Sequence, residues 1–352
     1  MKIGFSYWGF CEKFEDCNIS QTPDGHRYGR PVFVKELWDR GHKVYSLQKM
    51  REKKEFWGME YDDHGFPDID VLFLEWRWPT YKNWGPDKFE PDLVRQQQLL
   101  DHYHGKIPII AWDTDLKMTE QDEERWPNMI VADPTLNPRS FKIPRVRMTF
   151  WSDFKPLMNA SEGSVEFGYV GNNYERDEMF RTYYSGPSSG LRNVGVQTKV
   201  WGNWLQRSPE RESPESLIKN HKTVTFCDRV GFHESMSILN SFIATVHITK
   251  PRYAEQGFVS PRYLENIVTR TPALVPIEFC KSNILGGRWA VSNSKDVVKT
   301  VEYLKGLNSQ DRNDIVCEQA RTLLSFHDFS VSSVVDFIES VADNPVGAIK
   351  NA

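Results

Sequence analysis

Short apolar runs recur along the whole chain, and the segments between them are long enough to form helices. In the first half these runs are residues 2–7, 43–47, 71–75 and 107–112. Continuous apolar strands that alternate with helical crossovers are typical of a parallel sheet covered by helices on both faces. The sequence therefore predicts an α/β fold built on a doubly wound sheet.

A second series of apolar runs starts near residue 165 and repeats the rhythm. Its members are residues 167–171, 198–202, 223–227, 242–248 and 272–277. After residue 294 the pattern becomes helical, with amphipathic segments at 296–305, 310–326 and 331–341. Two Rossmann-like domains followed by a helical end are therefore expected.

With 352 residues, the chain is about twice as long as a usual single domain. We expect an N-terminal domain over residues 1–155 and a second domain over residues 165–327. A C-terminal helix over residues 328–352 is expected to cross back onto the first domain. The polar stretch 153–164 contains proline and glycine and is the predicted linker. Two such domains are expected to face a central cleft that binds the ligand.

The composition and the motifs that are missing exclude several classes of protein. Five scattered cysteines without a CxxC pair are typical of reduced thiols in a cytoplasm, and they argue against a disulfide framework or a zinc site. No apolar run is long enough to span a membrane, so we expect a cytoplasmic protein without a membrane partner. The sequence lacks GxGxxG after the first run, GxxxxGK[ST] and HExxH, which excludes dinucleotide oxidoreductases, P-loop NTPases and zincins.

Two segments of the second half have the features of a nucleotide site. Gly171 and Asn172 end an apolar run that passes directly into a helix, with Arg176 in its first turn, and such helix starts bind phosphates. Arg262 and Glu265 lie three residues apart, on one face of a predicted helix. An arginine there can neutralise a diphosphate while the carboxylate accepts ribose hydroxyls. An ordinary surface ion pair has the same spacing.

Two further segments of the first half are candidates for the chemistry and for the acceptor. Asp113 and Asp115 follow the run 107–112, and the carboxyl ends of parallel strands are where ligands bind. Paired carboxylates can hold a metal, and they can also form a helix cap and turn. In the segment 75–84 (EWRWPTYKNW), aromatic rings alternate with cations, as in sites that stack a base and contact phosphates. A tryptophan-rich packing corner has the same composition.

The order of these segments resembles a known family. The strand-GNN-helix succession, VWGN, FCDRVGFHE and PRYLENIVTRTPALV resemble the nucleotide-sugar domain of GT-B glycosyltransferases. Over nearly the whole length, the chain resembles the DNA β-glucosyltransferases of T-even phages. The shared features are the MKI start, the strand that ends in Asp115, the following Trp126-Pro127-Asn128 and the order of the C-terminal segments. The resemblance implies a GT-B fold and the transfer of glucose from UDP-glucose to 5-hydroxymethylcytosine in DNA.

The resemblance also implies roles for individual residues. Asp115, in a T-D-L-K stretch similar to the family's T-D-I-R, is the expected catalytic base of an inverting transfer. Asp113 is expected to help place it, so a divalent metal is compatible with the site without being obligatory. The expected donor-binding residues are Gly9, Gly171, Asn172, Arg176, Trp201, Gly202, Val230, Arg262 and Glu265. The expected acceptor residues are Trp76, Arg77, Trp78, Tyr81, Lys82 and Lys117.

Within this set, the resemblance implies that the arginines hold the diphosphate, that Glu265 binds the ribose and that the backbone of Val230 contacts the uracil. The loop from Gly171 to Arg176 is about two residues shorter than in the family, so one family arginine has no counterpart here.

Three functions stay open on the sequence. The first is a monomeric DNA glycosyltransferase in the host cytoplasm, which uses a UDP-sugar, by expectation UDP-glucose, and modifies 5-hydroxymethylcytosine or 5-hydroxymethyluracil in double-stranded DNA. The second is a GT-B transferase for a glycan, protein or small molecule, which the net charge of -4 favours. The third is a catalytically silent DNA-binding protein with this fold.

Overall fold

The computed structural model describes residues 1–6, 26–47, 65–80, 91–138, 141–143, 145–148, 158–206, 212–326 and 330–343. These residues belong to two compact units. The first unit contains the described residues up to 148 together with 330–343, and the second contains those from 158 to 326. Of the predicted site residues, Gly9, Tyr81 and Lys82 lie outside the described residues.

The first unit is built on a parallel sheet of six strands. The strands are β1 (Lys2–Ser6), β2 (Lys43–Ser46), β3 (Val71–Glu75), β4 (Ile109–Trp112), β5 (Ile130–Asp133) and β6 (Arg145–Arg147). Their spatial order is β2-β1-β3-β4-β5-β6, and every neighbouring pair is parallel. The order changes direction at β1, so the sheet is doubly wound as predicted.

Both faces of this sheet are covered, which is why its inner strands β3 and β4 are almost entirely apolar. The helices that follow in sequence are α1 (His26–Asp39), α2 (Pro91–Tyr103) and α3 (Glu120–Arg125). Along β3, Phe73 packs in a core cluster with Phe33 of α1. Its neighbour Leu74 points to the opposite face and packs in a cluster with Leu99 of α2. A strand that is buried on both faces has no polar side to alternate with.

The second unit contains two three-stranded parallel sheets. The strands of the first are β7 (Glu166–Val170), β8 (Gln197–Trp201) and β9 (Val224–Cys227), and those of the second are β10 (Thr245–Val246), β11 (Ala273–Pro276) and β12 (Ala290–Val291). A parallel bridge between Glu166 and Phe242 connects the two. The resulting order, β9-β8-β7-β10-β11-β12, is that of a Rossmann fold.

A tyrosine accounts for the weak pairing between the two halves of this unit. The Val246 N–H, on the side of β10 away from β11, donates to the Tyr184 hydroxyl (2.6 Å), which in turn donates to the Val246 carbonyl (2.8 Å). The hydroxyl thus satisfies backbone groups that β7 would otherwise pair. The run 242–248 is therefore only partly strand, in contrast to the prediction.

Nine helices among the described residues cover the second unit. They are α4 (Asp177–Phe180), α5 (Gly186–Asn193), α6 (Pro214–Asn220), α7 (Phe232–Asn240), α8 (Pro251–Gln256), α9 (Pro261–Val268), α10 (Ser282–Leu285), α11 (Ser294–Lys305) and α12 (Ser309–Leu324). A π-helical turn, Arg181–Ser185, joins α4 to α5 and supplies Tyr184.

The last helix, α13 (Val331–Asp343), returns to the first unit. Val335 and Ile338 are buried in the same cluster as Phe33. At the edge of this contact, Arg40 donates to Asp336 (2.5 Å) and to Glu339 (3.0 Å). The predicted crossing of the C-terminal helix is confirmed. Among the described residues, no helix combines the length and apolarity needed to cross a bilayer.

Candidate functional site

In the first unit, the candidate residues follow β3 and β4 at their carboxyl ends. This edge lies beside β1, where the strand order reverses, and such switch points are where open α/β sheets bind ligands. Glu75, the last residue of β3, accepts from the Thr114 hydroxyl beyond β4 at 3.2 Å. The two loops are therefore joined by a side-chain contact.

The loop after β4 holds one carboxylate inside and one outside. Asp113 is fully buried and accepts the backbone N–H groups of Lys117 (2.6 Å) and Met118 (3.1 Å). Leu116, within the loop, has a φ of 53°, in the left-handed region. The side chain of Asp115 remains 42% exposed. The expected role of Asp113 in placing Asp115 stays a prediction, and the backbone bonds of Asp113 provide a route for it.

Three predicted residues meet at this edge. The Lys117 ammonium lies 2.8 Å from a carboxylate oxygen of Asp115. The same ammonium lies 4.2 Å from the ring centroid of Trp78, within the range of a cation–π contact. A carboxylate, a cation and an aromatic ring thus lie side by side at the carboxyl edge of the sheet.

The structure gives two other predicted acceptor residues a different role. Trp76 is 0% exposed and packs in the core with Leu99, so no face of its ring is available to a base. Arg77 is also buried, with its guanidinium 3.3 Å from Glu75 and its backbone N–H bonded to Gln96. For these two residues the alternative of a tryptophan-rich packing corner is correct, because the buried stretch of β3 continues past Glu75 through Trp76 and Arg77.

In the second unit, the strand ends of β7 and β8 are in close backbone contact. A Cβ atom at Gly202 would lie 2.3 Å from the carbonyl oxygen of Gly171, so only glycine fits at position 202. The Asn203 N–H donates to the Asn172 side chain (3.1 Å), and the Asn173 N–H donates to the Asn203 side chain (2.9 Å). These reciprocal bonds fix two of the predicted donor loops against each other.

This contact leads to a first prediction. Replacement of Gly202 by alanine should lower the free energy of unfolding by about 1 to 3 kcal/mol, because the backbone of Gly171 has to shift. Thermal unfolding measures the loss. The matched control is Gly306→Ala, whose new Cβ would meet its nearest atom at an ordinary 3.4 Å. Equal unfolding temperatures for the two variants would contradict the close approach.

Arg176 is the cation of the loop that follows β7. Its guanidinium donates to the carbonyls of Asn172 (3.0 Å) and Tyr174 (3.3 Å). Its Nε is buried and has no hydrogen-bond partner within the described part of the chain. The first turn of α4 carries the acidic residues Asp177 and Glu178, which oppose the positive helix end. Arg176 is the N-cap residue of α4 and not part of its first turn, and anion binding at this helix start stays a prediction.

Arg262 and Glu265 meet on α9 as their spacing predicts. Arg262 is the second residue of the helix, after Pro261, and its guanidinium contacts the Glu265 carboxylate directly. The Glu265 side chain is fully buried, whereas that of Arg262 is 25% exposed. The buried carboxylate and the partly exposed guanidinium thus place a hydrogen-bond acceptor and a cation next to each other.

Trp201 and Val230 are found at the carboxyl ends of the neighbouring strands. Trp201 ends β8, and its indole Nε1 is buried without a hydrogen-bond partner among the described residues. Val230 lies in the loop between β9 and α7, and the N-cap residue of α7, Gly231, provides no side-chain cap. The predicted donor residues that the structure describes in β7, β8 and β9 thus share one edge of the sheet.

His247 follows β10 at the same edge and was missed from the sequence. Its ring is buried between those of Tyr263 (5.3 Å) and Phe279 (5.1 Å). Burial lowers its pKa to about 4, the Phe258 backbone opposes this effect, and the charge of Arg176 adds to it. Its place at the end of the run 242–248 is the only sequence signal that could have indicated it.

The buried imidazole predicts a pH dependence of stability. Between pH 6.5 and 4 the unfolded chain binds a proton at His247 that the folded chain does not, so the free energy of unfolding falls as the pH falls. The full effect is about 3 kcal/mol. Urea unfolding of the wild type and of His247→Phe at pH 7 and pH 4.5 measures it. An equal loss in both proteins would exclude His247 as the cause.

Among the described residues, no group of three or more histidine, cysteine, aspartate or glutamate side chains is arranged to hold a metal ion. The described cysteines, Cys227, Cys280 and Cys317, are free thiols.

Comparisons with known proteins identify the fold of the chain. No protein-family model and no curated protein sequence matches the chain. A structure of the DNA-modifying enzyme β-glucosyltransferase, determined with and without uridine diphosphoglucose, is similar with a TM-score of 0.59 and 15% identity over 99% of each chain. T4 phage β-glucosyltransferase in complex with UDP and Mn²⁺ gives a TM-score of 0.61 and 14% identity over 99% of each chain.

An α-glucosyltransferase in complex with UDP and a 13-mer DNA containing an HMU base covers 96% of this chain and 99% of its own, with a TM-score of 0.58 and 14% identity. The chain therefore has the GT-B fold that its sequence predicted, and in that fold it resembles the phage DNA glucosyltransferases.

Proposed function

We propose that this protein is a DNA glycosyltransferase that moves a sugar, by expectation glucose, from a UDP-sugar to the hydroxymethyl group of a modified pyrimidine. The observation that carries the proposal is the carboxylate of Asp115, which stays exposed on a loop whose other aspartate is buried. The loop lies at the ligand-binding edge of a fold shared with glucosyltransferases that use UDP-glucose.

The second unit is the proposed donor site. Arg176 and Arg262 bind the diphosphate and stabilise the charge that develops on it as UDP leaves. Glu265 accepts the ribose hydroxyls, and the backbone at Val230 reads the uracil. Gly171, Asn172 and Gly202 let the chain approach the nucleotide closely, as expected where glycines meet backbone to backbone.

The first unit is the proposed acceptor site. Trp78 offers a half-buried ring for stacking, and Lys117 offers an ammonium for a DNA phosphate. Both lie next to Asp115, so a base held there presents its hydroxymethyl group to the carboxylate. Tyr81 and Lys82 remain sequence-based candidates for the same surface.

In the proposed reaction, Asp115 removes the proton from the hydroxymethyl oxygen as that oxygen attacks the anomeric carbon. A new C–O bond forms, the bond between the sugar and the diphosphate breaks, and UDP leaves with the bonding electron pair. Attack opposite the leaving group inverts the anomeric configuration. Because α- and β-glucosyltransferases both have this fold, the configuration of the product sugar is a separate test.

UDP release from a panel of UDP-sugars tests the proposal directly. Each sugar is offered with DNA containing 5-hydroxymethylcytosine, DNA containing 5-hydroxymethyluracil, or unmodified DNA. We expect release that requires a hydroxymethylated duplex and identifies the sugar. UDP-sugar binding without transfer to any of these DNAs would instead favour a non-nucleic acceptor, the alternative that the net charge of -4 supports.

Salt dependence provides a second test of the DNA acceptor. Loss of one phosphate contact in Lys117→Ala should make the slope of log affinity against log salt shallower by about 1. The matched control is Lys106→Ala, which removes an exposed lysine from the turn after α2. Identical slopes for both variants would exclude Lys117 from the acceptor surface.

A further inference from the structure

A buried arginine contacts the loop that carries the candidate catalytic base. The guanidinium of Arg145, the first residue of β6, is 0% exposed. It lies 2.9 Å from Asp113, 3.2 Å from Glu123 and 3.5 Å from Asp133, whose side chains are also fully buried. One cation therefore faces three carboxylates that have no contact with solvent.

Each of these carboxylates ties down a different stretch of backbone. Asp113 accepts the two N–H groups of the loop that carries Asp115, as described above. Glu123, on α3, accepts the N–H groups of residues 142 and 143, both at 2.8 Å. Asp133, the last residue of β5, accepts the N–H (3.0 Å) and the hydroxyl (2.5 Å) of Thr135. Arg145 is thus the common partner of three segments.

Stability alone is a weak explanation for this cluster. Burying four charged groups costs solvation free energy, and apolar side chains of similar volume often stabilise a core as well or better. Burial accordingly raises the pKa of Asp113 and of Asp133, against the opposing effect of Arg145. What an ion cluster provides that apolar packing cannot is directional bonding, which fixes the loops at one geometry.

We propose that Arg145 is a positioning residue for the catalytic loop 113–118. The inference deepens the proposed function and depends on it. Arg145 holds Asp113, Asp113 holds the backbone of Lys117 and Met118, and that backbone sets the place of the Asp115 carboxylate between them. Arg145 itself is buried, and it acts on this loop through Asp113.

Asp113 and Asp133 provide a matched pair for the test. Both are fully buried and both contact Arg145, but only Asp113 bonds to the loop that carries Asp115. Asp113→Asn should lower kcat by about 100-fold, because a displacement of about 1 Å in a reacting group costs that much. Asp133→Asn should change kcat by less than about threefold, because the loop that carries Asp115 keeps its bonds to Asp113 and is not displaced. Arg145→Lys, which keeps the charge but cannot span three carboxylates, should fall between them.

The measurements separate positioning from loss of fold. Thermal unfolding curves show at which temperature every variant is folded. At that temperature, kcat, the KM of UDP-glucose and the pH profile of kcat are measured. We expect Asp113→Asn to change kcat and the pH profile while both the KM and the affinity for UDP stay unchanged. If Asp113→Asn does not fold, the comparison of Arg145→Lys with Asp133→Asn replaces it.

Two outcomes would overturn the inference, and they are distinguishable. Equal losses of kcat in Asp113→Asn and Asp133→Asn, with Asp115-dependent turnover in the wild type, would reject the positioning role and leave the proposed function standing. If the wild type and Asp115→Asn release UDP at the same rate, the proposed function is rejected, and the positioning role is rejected with it.

Discussion

Replacement of Asp115 by asparagine is expected to lower kcat by about 10²- to 10⁴-fold, the usual contribution of a general base. Asparagine keeps the size of the side chain and its contact with the Lys117 ammonium, but it cannot take a proton from the acceptor hydroxyl. The affinity for UDP-glucose should not change, because the donor residues belong to the second unit. Steady-state UDP release together with calorimetric binding of UDP-glucose separates the two effects.

A matched control is available on α1. Asp39 is exposed and pairs with Lys35 at 2.5 Å, so Asp39→Asn removes a similar ion pair far along the chain from the candidate base. Its kcat should equal that of the wild type. Turnover by Asp115→Asn at the wild-type rate would show that another group takes the proton. DNA binding without UDP release from either protein would instead support the silent DNA-binding alternative.

Removal of the Arg262 guanidinium is expected to have the second large effect. Arg262→Ala takes away a cation proposed to stabilise the leaving diphosphate, and loss of one such group costs about 10²- to 10³-fold in kcat. It also removes a direct partner of the buried Glu265 carboxylate, so the affinity for UDP should weaken as well. Both kcat and UDP binding are therefore expected to fall, unlike the result for Asp115→Asn.

Arg288→Ala is the control for this substitution. Arg288 is 64% exposed, pairs with Glu318 and lies over the ring of Trp289. Its loss removes one positive charge from the same unit without touching the proposed donor site. If Arg262→Ala and Arg288→Ala release UDP equally fast, Arg262 has no role in the reaction.

The strands and helices that have a clear hydrophobic period in the sequence were predictable. The apolar runs at 71–75 and 223–227 and the amphipathic segment 331–341 correspond to β3, β9 and α13 within a residue or two. Such elements bury a complete strand or one face of a helix, and that burial is visible as hydrophobic periodicity. In contrast, β5 and β6 were not predicted. β6 reads Arg-Val-Arg, and nothing local shows that its first arginine is buried.

In the candidate site too, contacts within one helix were predictable and those set by tertiary packing were not. The spacing of Arg262 and Glu265 was sufficient to predict their contact, because the geometry of one helix turn relates them. Composition could not distinguish Trp76 from Trp78 within the segment 75–84, which contains three tryptophans. Only the packing of α2 against β3 shows that Trp76 belongs to the core and that Trp78 is left beside Lys117.

By itself, the sequence determined the doubly wound architecture and the loops on which the candidate residues lie, because hydrophobic periods and glycine-containing strand ends act over a few residues. The tertiary structure decided which of two neighbouring aspartates is exposed. Asp113 is drawn inward by Arg145, a residue 32 positions further along the chain, and Asp115 is left outside. Burying a charge requires a partner charge, and only the folded chain determines which partner is near.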